Sequence, residues 1–508
     1  MPTGIKIWDH KSKSKYSRLP DSPSSSAWGY TCETANPLAM HVEDICFTTA
    51  RKLAQLLRTR KLSATEVMRA FIAQIERVNP KVNAIVTFLP EQALKEARAL
   101  DRKTGAKPPL AGLPIAYKDL VPTKGIRTTL GSLVYKDNVP KEDALLVERL
   151  KAAGAITLGK TNTPEFGAGS NTFNKVFGAT RNPYDPSKTA GGSSGGAAAA
   201  VACGMLPFAD GSDLAASLRN PGNYCNVVGF RPTPGRVPTY PAANAWDTQP
   251  VAGPIARTVE DAAFLLSAMA GPDRRAPVSI AEPGSLFAKP LGRSFRKVRV
   301  AWTRDFGGLP VEPAVTEVLE KQRKVFTDLG CILEQACPDF TGATEAFETL
   351  RAISFALRLA PLLKTHRAEL KDTVIWNIEQ GLALDGAKIA RAEVLRTELY
   401  QRLRAFLEKY EFLLAPVSQL PPFPVETEYP REIAGVQLTN YLDWMKSCYY
   451  ITIASHPAIS VPAGFTPAGL PVGLQIVGRY RDDLGVLQLA HAFEAETQVW
   501  KRRPPLAA

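Results

Sequence analysis

Histidine is scarce in this chain, which has only five among 508 residues. None of the five forms a Ser/His/Asp pattern, and we interpret His456, which precedes a proline, as structural: His10, His41, His366, His456 and His491. The sequence therefore argues against a hydrolase of the Ser/His/Asp type. Any acid–base chemistry in this protein needs a base of another kind.

Cysteine is present, but its spacing is not that of a metal site. The seven cysteines are odd in number and scattered, and no Cys-x-x-Cys pair occurs among them: Cys32, Cys46, Cys203, Cys225, Cys331, Cys337 and Cys448. This pattern predicts reduced structural thiols in a reducing compartment, and it offers no metal site. We accordingly expect a cytoplasmic protein that needs no metal or other cofactor.

Long apolar runs are also missing. No stretch approaches the roughly 18 to 20 apolar residues of a membrane span, and a hydrophobic content of 45% is ordinary for a globular protein. Residues 1–39 are polar, rich in Pro and Ser, and lack the apolar core of a signal peptide. We expect no membrane association, a disordered or surface-draped arm over residues 1–39, and one main domain over residues 40–508.

The formal net charge of +13 raises the question of a nucleic-acid partner. The basic residues are spread along predicted helices such as 51–61 and 391–409, and in the second of these they are interleaved with acidic residues, as is typical of a solvated helix face. No motif combines aromatic with basic residues in the manner of an RNA-binding module. The sequence therefore predicts no nucleic-acid partner, and the charge fits an anionic substrate or a basic source proteome equally well.

Two serines stand in segments of small residues. Ser193 lies in the glycine-rich run 191–196, and Ser217 ends the segment 211–217. Such runs are more often turns than catalytic devices, but alanines and a valine follow the first one and predict a helix whose N-terminus would attract anions. A nucleotide-binding P-loop would need Lys and then Ser or Thr after its second glycine, and alanines stand there instead, which disfavours nucleotide binding.

Lys118 precedes both serines, in the segment Pro114-Ile115-Ala116-Tyr117-Lys118-Asp119-Leu120. A lysine at the end of a strand usually extends to solvent, and a serine such as Ser217 is often a cap or turn residue. Taken together, however, the three segments offer a nucleophile, a base and backbone N–H donors for an oxyanion. The combination predicts a serine hydrolase that does not use histidine.

These segments resemble the amidase signature family, from about Thr48 to about Thr497. Ser193 follows Lys118 by 75 residues and Ser217 follows Ser193 by 24, as the triad of that family requires. The segments 227–237 and 469–478 are also similar to family segments. The resemblance implies an α/β fold: a single α/β/α layered domain around a large, twisted, mixed β-sheet.

The resemblance also implies a role for each residue of a Ser, cis-Ser and Lys triad. Ser217 would be the nucleophile that forms an acyl-enzyme. Ser193, after a cis peptide bond from Gly192, would pass the proton to Lys118. Lys118 would be neutral, because burial lowers the pKa of an amine. The oxyanion would be held by the backbone N–H groups of Leu214, Ala215, Ala216 and Ser217.

One departure from the family concerns Ala215 and Ala216, where the family usually has Gly-Gly. If either position required a positive φ, an alanine there would cost about 1 kcal/mol. Its Cβ would also crowd the acyl pocket, whereas the backbone donors are retained. The sequence therefore predicts an active enzyme with narrowed or altered acyl selectivity.

The second pocket element is the loop 164–171. The resemblance implies that it lines the site and offers backbone groups to the substrate, with Phe166 and Gly167 as the first choices of substrate-binding residues. Glu165 can equally be a carboxylate that anchors the loop. Small residues in this loop leave room for an aryl or branched group. We therefore expect a small-molecule substrate, namely an aryl or other hydrophobic amide, anilide or carbamate.

The secondary-structure pattern alternates between helices and strands. A capping box at Ser63 and Glu66 opens a helix that Asn79-Pro80 should end. Two βαβ units are predicted, each with parallel strands: strand 115–117, helix 144–153 and strand 156–158, then strand 298–301, helix 315–329 and strand 332–333.

The section from about 340 to 410 reads as mostly helical. A helical layer of this kind can form a substrate funnel or the face of a homodimer, and the alternative is ordinary core packing. A homodimer is thus kept open as an alternative. After this section, residues 413–416 are predicted to return to the sheet as a strand.

Two other functions stay open at this point. The glutamine-hydrolysing A subunit of a tRNA-dependent amidotransferase carries an Asp-Ser-Thr-Ser-type element after the helix that ends here near Met269. This chain has Gly-Pro-Asp-Arg-Arg-Ala-Pro at 271–277 instead, which argues against that function. A non-catalytic binding relative is the second alternative, favoured only by the two alanines and opposed by the intact Lys118, Ser193 and Ser217.

Overall fold

The structure is a computed structural model that describes residues 41–507, so the arm predicted over residues 1–39 lies outside the described residues. Its α-helices are α1 (Val42–Phe47), α2 (Ala50–Arg58), α3 (Ala64–Val82), α4 (Pro90–Asp101), α5 (Leu145–Ala152), α6 (Gly195–Ala202), α7 (Arg219–Tyr224), α8 (Val259–Met269), α9 (Pro313–Glu320), α10 (Arg323–Asp328), α11 (Ala343–Thr365), α12 (Asp372–Leu382), α13 (Gly386–Lys409), α14 (Lys446–Ile453) and α15 (Asp483–Thr497).

The strands alternate with these helices. They are β1 (Ile85–Phe88), β2 (Pro114–Lys118), β3 (Ile156–Thr161), β4 (Phe173–Asn174), β5 (Gly178–Ala179), β6 (Phe208–Asp213), β7 (Val228–Arg231), β8 (Val251–Ala256), β9 (Arg299–Trp302), β10 (Ile332–Gln335), β11 (Phe412–Pro416), β12 (Glu432–Ile433), β13 (Val436–Gln437), β14 (Ala458–Phe465) and β15 (Pro471–Gly478). No helix within residues 41–507 is long and apolar enough to cross a membrane.

A large mixed sheet forms the centre of the fold, which confirms the predicted fold class. Its eight strands follow the order β10-β9-β11-β15-β14-β7-β8-β6. β9 pairs in parallel with β10 and β11, and the remaining pairings are antiparallel. The strands predicted at 298–301, 332–333 and 413–416 all lie in this sheet.

The predicted first βαβ unit forms a smaller, separate sheet of order β1-β3-β2. β2 and β3 are parallel, as predicted, and β1 runs antiparallel to β3. β2 also lies against β6 of the large sheet. At this junction the backbone N–H of Lys118 donates to the carboxylate of Asp210 at 3.1 Å. A side chain of β6, rather than its backbone, therefore links the end of β2 to the larger sheet.

The structure corrects the predicted end of α3. The capping box is confirmed, since the Ser63 hydroxyl accepts the N–H of Glu66 and the Glu66 carboxylate accepts the N–H of Ser63. The helix does not stop at Asn79-Pro80 but continues to Val82. A proline in the last turn removes a single helical hydrogen bond, and the helix ends instead at Asn83, whose φ is +52°.

The helix predicted over 315–329 is two helices, α9 and α10. Between them, the N–H of Gln322 bonds to the carbonyl of Leu319, and the N–H of Val325 bonds to the carbonyl of Gln322. These three-residue steps tighten the backbone and interrupt the α-helical ladder. In the section from about 340 to 410, α11, α12 and α13 are the helices, and α11 packs against both of the others.

Candidate active site

Lys118 is the last residue of β2 and is fully buried, so it does not extend to solvent. Its amine lies within hydrogen-bond distance of three serine hydroxyls. The Nζ atom is 2.7 Å from Ser193 Oγ, 2.9 Å from Ser194 Oγ and 3.0 Å from Ser212 Oγ. The structure thus brings together two of the residues that the sequence singled out, Lys118 and Ser193.

Burial determines the protonation of this amine. It lowers the pKa of Lys118 to about 7, against the opposing attraction of Asp210 and Asp213. A neutral amine has one lone pair and two N–H bonds, which matches three hydroxyl neighbours. It can accept the proton of Ser193 and donate to the other two hydroxyls. Lys118 is therefore suited to act as a base near neutral pH.

The glycine-rich run holds Ser193 in a closely packed cradle. The peptide bond between Gly192 and Ser193 is cis. The Ser170 hydroxyl donates to the carbonyl of Gly192 at 2.5 Å, and the Thr172 hydroxyl donates to the carbonyl of Gly191 at 2.8 Å. Gly191 has a φ of +75°, and a Cβ on it would lie 2.6 Å from Asn220 Oδ1. These close approaches explain why the chain uses glycine here.

Ser217 lies in the turn between β6 and α7 and is also buried. Its hydroxyl makes no hydrogen bond to any residue in the range 41–507, and so none joins it to Ser193. The turn itself is folded back on β6, since the N–H of Leu218 donates to Asp213 Oδ2 at 3.2 Å. The structure thus leaves the relay from Ser217 to Ser193 open, while the contact from Ser193 to Lys118 is formed.

The backbone before Ser217 has the character of an anion site. Within the described part of the chain, the N–H groups of Leu214, Ala215, Ala216 and Ser217 donate no hydrogen bond. The carbonyls behave differently: that of Ala215 accepts from Arg219 Nη2 at 2.8 Å and from Thr452 Oγ1 at 3.1 Å. Hydrogen bonds to the Ala215 carbonyl hold this backbone in place. Its successive free N–H groups can therefore donate hydrogen bonds to an oxyanion.

The two alanines adopt ordinary backbone conformations. Neither Ala215 nor Ala216 has a positive φ, so the strain considered for these positions does not arise. Both are buried in an apolar cluster that includes Trp444 and Tyr449 of the C-terminal region. The methyl groups therefore contribute to core packing, which the sequence did not reveal.

A buried ion cluster supports the turn from behind. The guanidinium of Arg219 lies 3.0 Å from the Asp213 carboxylate, and that of Arg231 lies 3.7 Å away. Burial alone would raise the pKa of Asp213, but the two arginines and the hydrogen bonds to the carboxylate lower it below its ordinary value. Asp213 therefore stays ionised and fixes the segment that carries the free N–H groups.

Sequence reasoning missed three further groups around Lys118: Ser194, Ser212 and Asp210. The Asp210 carboxylate accepts the Lys118 N–H with Oδ1, while Oδ2 has no partner within residues 41–507. Burial raises the pKa of Asp210 to about 6, although its bond to Lys118 and the charge of Lys160 oppose this. A signal was available, because alternate residues of a strand share a face. That places Asp210 on the same side of β6 as Ser212.

The predicted pocket loop divides into residues with different surroundings. Phe166 is buried among Phe355, Val374 and other apolar residues. A Cβ built on Gly167, by contrast, would lie 3.5 Å from Ser193 Oγ. Glu165 accepts from the Ser132 hydroxyl at 2.6 Å and from the Lys371 N–H at 2.7 Å, and so anchors the loop. Of the two predicted substrate-binding residues, Gly167 thus lies beside the candidate triad.

A cavity of about 580 Å³ reaches this site and is lined by Ser212 and Leu214. Its remaining walls are largely apolar and include Leu120, Leu146, Val237, Tyr240, Trp246, Leu350, Ile353 and Leu357. A larger groove of about 970 Å³ around Phe340 contains none of the candidate residues, so size alone does not mark the site. Within the described residues, no cluster of His, Cys, Asp and Glu could hold a metal ion.

His456 is fully buried, in keeping with a structural role. Its Nδ1 atom lies 2.6 Å from the carbonyl oxygen of Ala454 and therefore carries the proton. Burial lowers the pKa of His456 to about 4, so the ring is neutral at physiological pH.

Comparison with known proteins gives the class of this architecture. The family model described as Amidase matches residues 66–487. An acylamidase from Rhodococcus erythropolis is 36% identical over 472 residues, which cover 92% of this chain and 98% of that protein. The A subunit of the glutamyl-tRNA(Gln) amidotransferase of Moorella thermoacetica is 37% identical over 490 residues, covering 91% and 99% respectively.

Comparison with solved structures leads to the same class of protein. A bacterial aryl acylamidase of the amidase signature enzymes superimposes with a TM-score of 0.85 at 30% identity, over 91% of this chain and 98% of that one. A 6-aminohexanoate cyclic dimer hydrolase complexed with substrate matches with a TM-score of 0.83 at 27% identity, over 92% and 100%. The chain belongs to the amidase signature family, and its class of activity is hydrolysis of amide C–N bonds.

Proposed function

We propose that this protein hydrolyses a small aryl or other hydrophobic amide, anilide or carbamate through an acyl-enzyme on Ser217. The products are an amine or ammonia and a carboxylic acid, or a carbonic acid monoester where the substrate is a carbamate. One observation carries the proposal: a buried lysine with a pKa near 7 contacts Ser193 at 2.7 Å, and free backbone N–H groups precede Ser217.

The first half-reaction forms the acyl-enzyme. Ser217 Oγ attacks the amide carbonyl while its proton passes through the Ser193 hydroxyl to the Lys118 amine. The N–H groups of residues 214–217 hold the resulting oxyanion. Collapse of the tetrahedral intermediate breaks the C–N bond, and the proton returns from Lys118 through Ser193 to the leaving nitrogen.

The second half-reaction uses water in place of Ser217. Water attacks the acyl ester, its proton passes to Lys118 by the same path, and the oxyanion is held by the same N–H groups. Collapse then breaks the bond from the acyl carbon to Ser217 Oγ, and the serine recovers its proton. The cycle thus needs a base that both accepts and returns a proton, for which a pKa near the working pH is best.

The cavity that meets the site supports this substrate class. Leu120, Leu146 and Leu214 line it together with Ser212, and apolar walls favour an apolar substrate group. The names of two similar proteins, an acylamidase and an aryl acylamidase, support the same class.

The test is covalent labelling together with a substrate panel. A fluorophosphonate probe should attach to Ser217 in the purified full-length protein, and mapping of the modified peptide by mass spectrometry would show the position. Ser217→Ala should remove both labelling and hydrolysis of amides, anilides, esters and carbamates. Ser267→Ala, on α8, is a matched control that should keep both. Hydrolysis by Ser217→Ala at the wild-type rate would overturn the proposal.

A second candidate is the glutamine-hydrolysing A subunit of a tRNA-dependent amidotransferase, favoured by the 37% identity to one such protein. The segment 271–277 opposes it, because it lacks the Asp-Ser-Thr-Ser-type element. Glutamine hydrolysis that depends on a copurifying partner would favour this candidate. Mass measurement of the purified protein by light scattering separates such a complex from a monomer or a homodimer.

The third candidate is a non-catalytic binding relative. The feature in its favour is the pair Ala215 and Ala216, where the family usually has Gly-Gly. Neither residue has a positive φ, so this pair does not strain the turn. Probe labelling of Ser217 without turnover of any member of the panel would favour it.

A further inference from the structure

Two large apolar side chains stand exposed at the mouth of the cavity that meets the candidate site. Trp246 is 72% exposed and Leu357 is 51% exposed. They come from parts of the chain that are far apart in sequence, and both line the same cavity as Ser212 and Leu214. Exposed apolar surface that rims a cavity marks a place where an apolar group binds.

One face of α11 forms a continuous wall from the interior to this mouth. Leu350, Ile353, Ser354 and Leu357 line the cavity at the spacing of a single helix face. Leu350 is buried, whereas Leu357 is exposed. Seven residues of helix span about 10 Å. The wall is therefore long enough for an aryl ring or a medium-length alkyl chain.

The loop 238–250 also lines the cavity, and it is anchored close to Trp246. The Ser354 hydroxyl donates to Asp247 Oδ2 at 3.1 Å, which ties the loop to α11. The guanidinium of Arg396, on α13, donates to the hydroxyl of Thr248. These contacts hold the residues that follow Trp246 and leave its indole facing outward.

Charges at the mouth cancel. Among residues 41–507, the charged residues that line the cavity are Asp247, Arg358, Glu393 and Arg396, two of each sign. Arg396 and Glu393 approach each other to 3.8 Å. These four side chains together carry no formal net charge, so that within the described lining apolar contact is the main attraction for a ligand.

We propose that Trp246 and Leu357 form an outer subsite that binds the uncharged, apolar end of the amide substrate, remote from the scissile bond. The proposal rests on the function proposed above and names the specificity-determining residues of that same site. The occupant is an aryl or alkyl group that extends from Leu214 to the mouth. Short amides end before they reach the subsite.

The kinetic test compares short and long substrates. Two series are assayed: anilides with acyl chains of increasing length, and acetanilides with para-alkyl groups of increasing length. In Trp246→Ala and Leu357→Ala, the ratio of kcat/KM for the longest to the shortest member of one series should fall about five- to tenfold. The fall should arise mainly from a higher KM, since the subsite does not touch the reacting atoms.

Leu382→Ala is the matched control, because Leu382 is also an exposed leucine on a helix, at 60% exposure, and does not line the cavity. This variant should keep the wild-type ratio in both series. Equal ratios for wild type, Trp246→Ala and Leu357→Ala in both series would overturn the proposal. So would a fall of the same size in Leu382→Ala.

A binding measurement separates this proposal from the proposed function. In Ser217→Ala protein, titration with the long anilides should change the intrinsic tryptophan fluorescence. The fluorescence change should vanish when Trp246→Phe is added to Ser217→Ala. When Leu357→Ala is added instead, the Kd for the long anilides should rise. These outcomes support the subsite even if wild-type protein hydrolyses none of the amides. An unaltered fluorescence change and an unaltered Kd would overturn it.

Discussion

The floor of the site and its cover are built in different ways. The floor consists of the end of β2, the glycine-rich run and the turn before Ser217. Its residues are buried, and hydrogen bonds hold Lys118, the glycine-rich run and the end of the turn, while the N–H groups of residues 214–217 stay free. The cover consists of α11 and the loop 238–250, which expose Trp246 and Leu357. The floor thus fixes the reacting atoms, whereas the cover presents surface to a substrate.

The difference extends to what each region tolerates. A Cβ on Gly195 would lie 2.4 Å from Thr172 Oγ1, and one on Gly196 would lie 2.3 Å from the backbone N of Asn162. Such distances leave no room for a larger residue in the floor. In the cover, by contrast, the exposed side chains can change without disturbing the backbone. We infer that the reaction depends on the floor and that selectivity depends on the cover.

The largest expected effect is that of Lys118→Met, which keeps the bulk of the side chain and removes the base. Because the proton relay ends at this amine, kcat/KM should fall by about 10³-fold or more. The matched variant is Lys160→Met. Lys160 is also a fully buried lysine, but its amine bonds to Thr123 Oγ1 at 2.9 Å rather than to the candidate serines. Losses of equal size in the two variants would contradict the assignment of Lys118.

The next effect concerns pH. Lys118 must be neutral to accept a proton and its pKa lies at about 7, so kcat/KM should rise as the pH passes through about 7 and level off above it. The groups that face this amine are Asp210 and Asp213, and both carboxylates raise its pKa. Asp210→Asn keeps an acceptor for the Lys118 N–H and removes one negative charge.

In Asp210→Asn the rising limb of the pH profile should therefore move to lower pH. At pH 6.5 the relative rate, expressed as a fraction of the plateau, should increase severalfold. Asp261→Asn is the comparison, since Asp261 is equally buried but caps the start of α2, where it accepts from the Ala50 N–H. If the rising limb of the pH profile stayed in place in Asp210→Asn, Asp210 would not influence the pKa of Lys118. The same conclusion would follow if the limb moved equally in Asp261→Asn.

Much of the floor was predictable from the sequence, because its residues lie in short local segments. The glycine run, Lys118 at a strand end and the turn at Ser217 each carry a recognisable pattern. The partners Ser212 and Asp210 were missed because their role depends on β2 and β6 lying side by side. The sequence also did not show that β2 belongs to a separate, smaller sheet, which a hydrogen bond to the Asp210 side chain links to β6.

The cover could not be predicted in the same way. Trp246 and Leu357 are more than a hundred residues apart in the sequence, and only the packing of the loop against α11 brings them to one cavity. The sequence indicated a helical section but not which of its faces would line a cavity. The sequence likewise did not show that the ring of Phe166, in the loop near the site, packs into an apolar cluster.

A moderate effect on stability should distinguish the two regions. Thr172→Val removes the hydroxyl that donates to the Gly191 carbonyl and accepts the Gly195 N–H at 3.1 Å. Leaving buried polar groups unpaired should lower the free energy of unfolding by about 1–3 kcal/mol. Thr248→Val, in the cover, removes a hydroxyl that is only half-buried and should cost less than about 1 kcal/mol. Urea denaturation measures both, and equal costs would contradict the comparison.

The smallest effect on activity is expected where the chain departs from its family. Ala216→Gly removes a buried methyl group and adds backbone freedom, so the free energy of unfolding should fall by about 1–2 kcal/mol. Because the alanines pack into the apolar cluster with Trp444 and Tyr449, the preference between short and branched acyl groups should change less than about threefold. The measurement pairs urea denaturation with competition between two anilides. If Ala216→Gly instead hydrolysed branched anilides much faster while its free energy of unfolding stayed the same, the methyl group of Ala216 would lie in the acyl pocket.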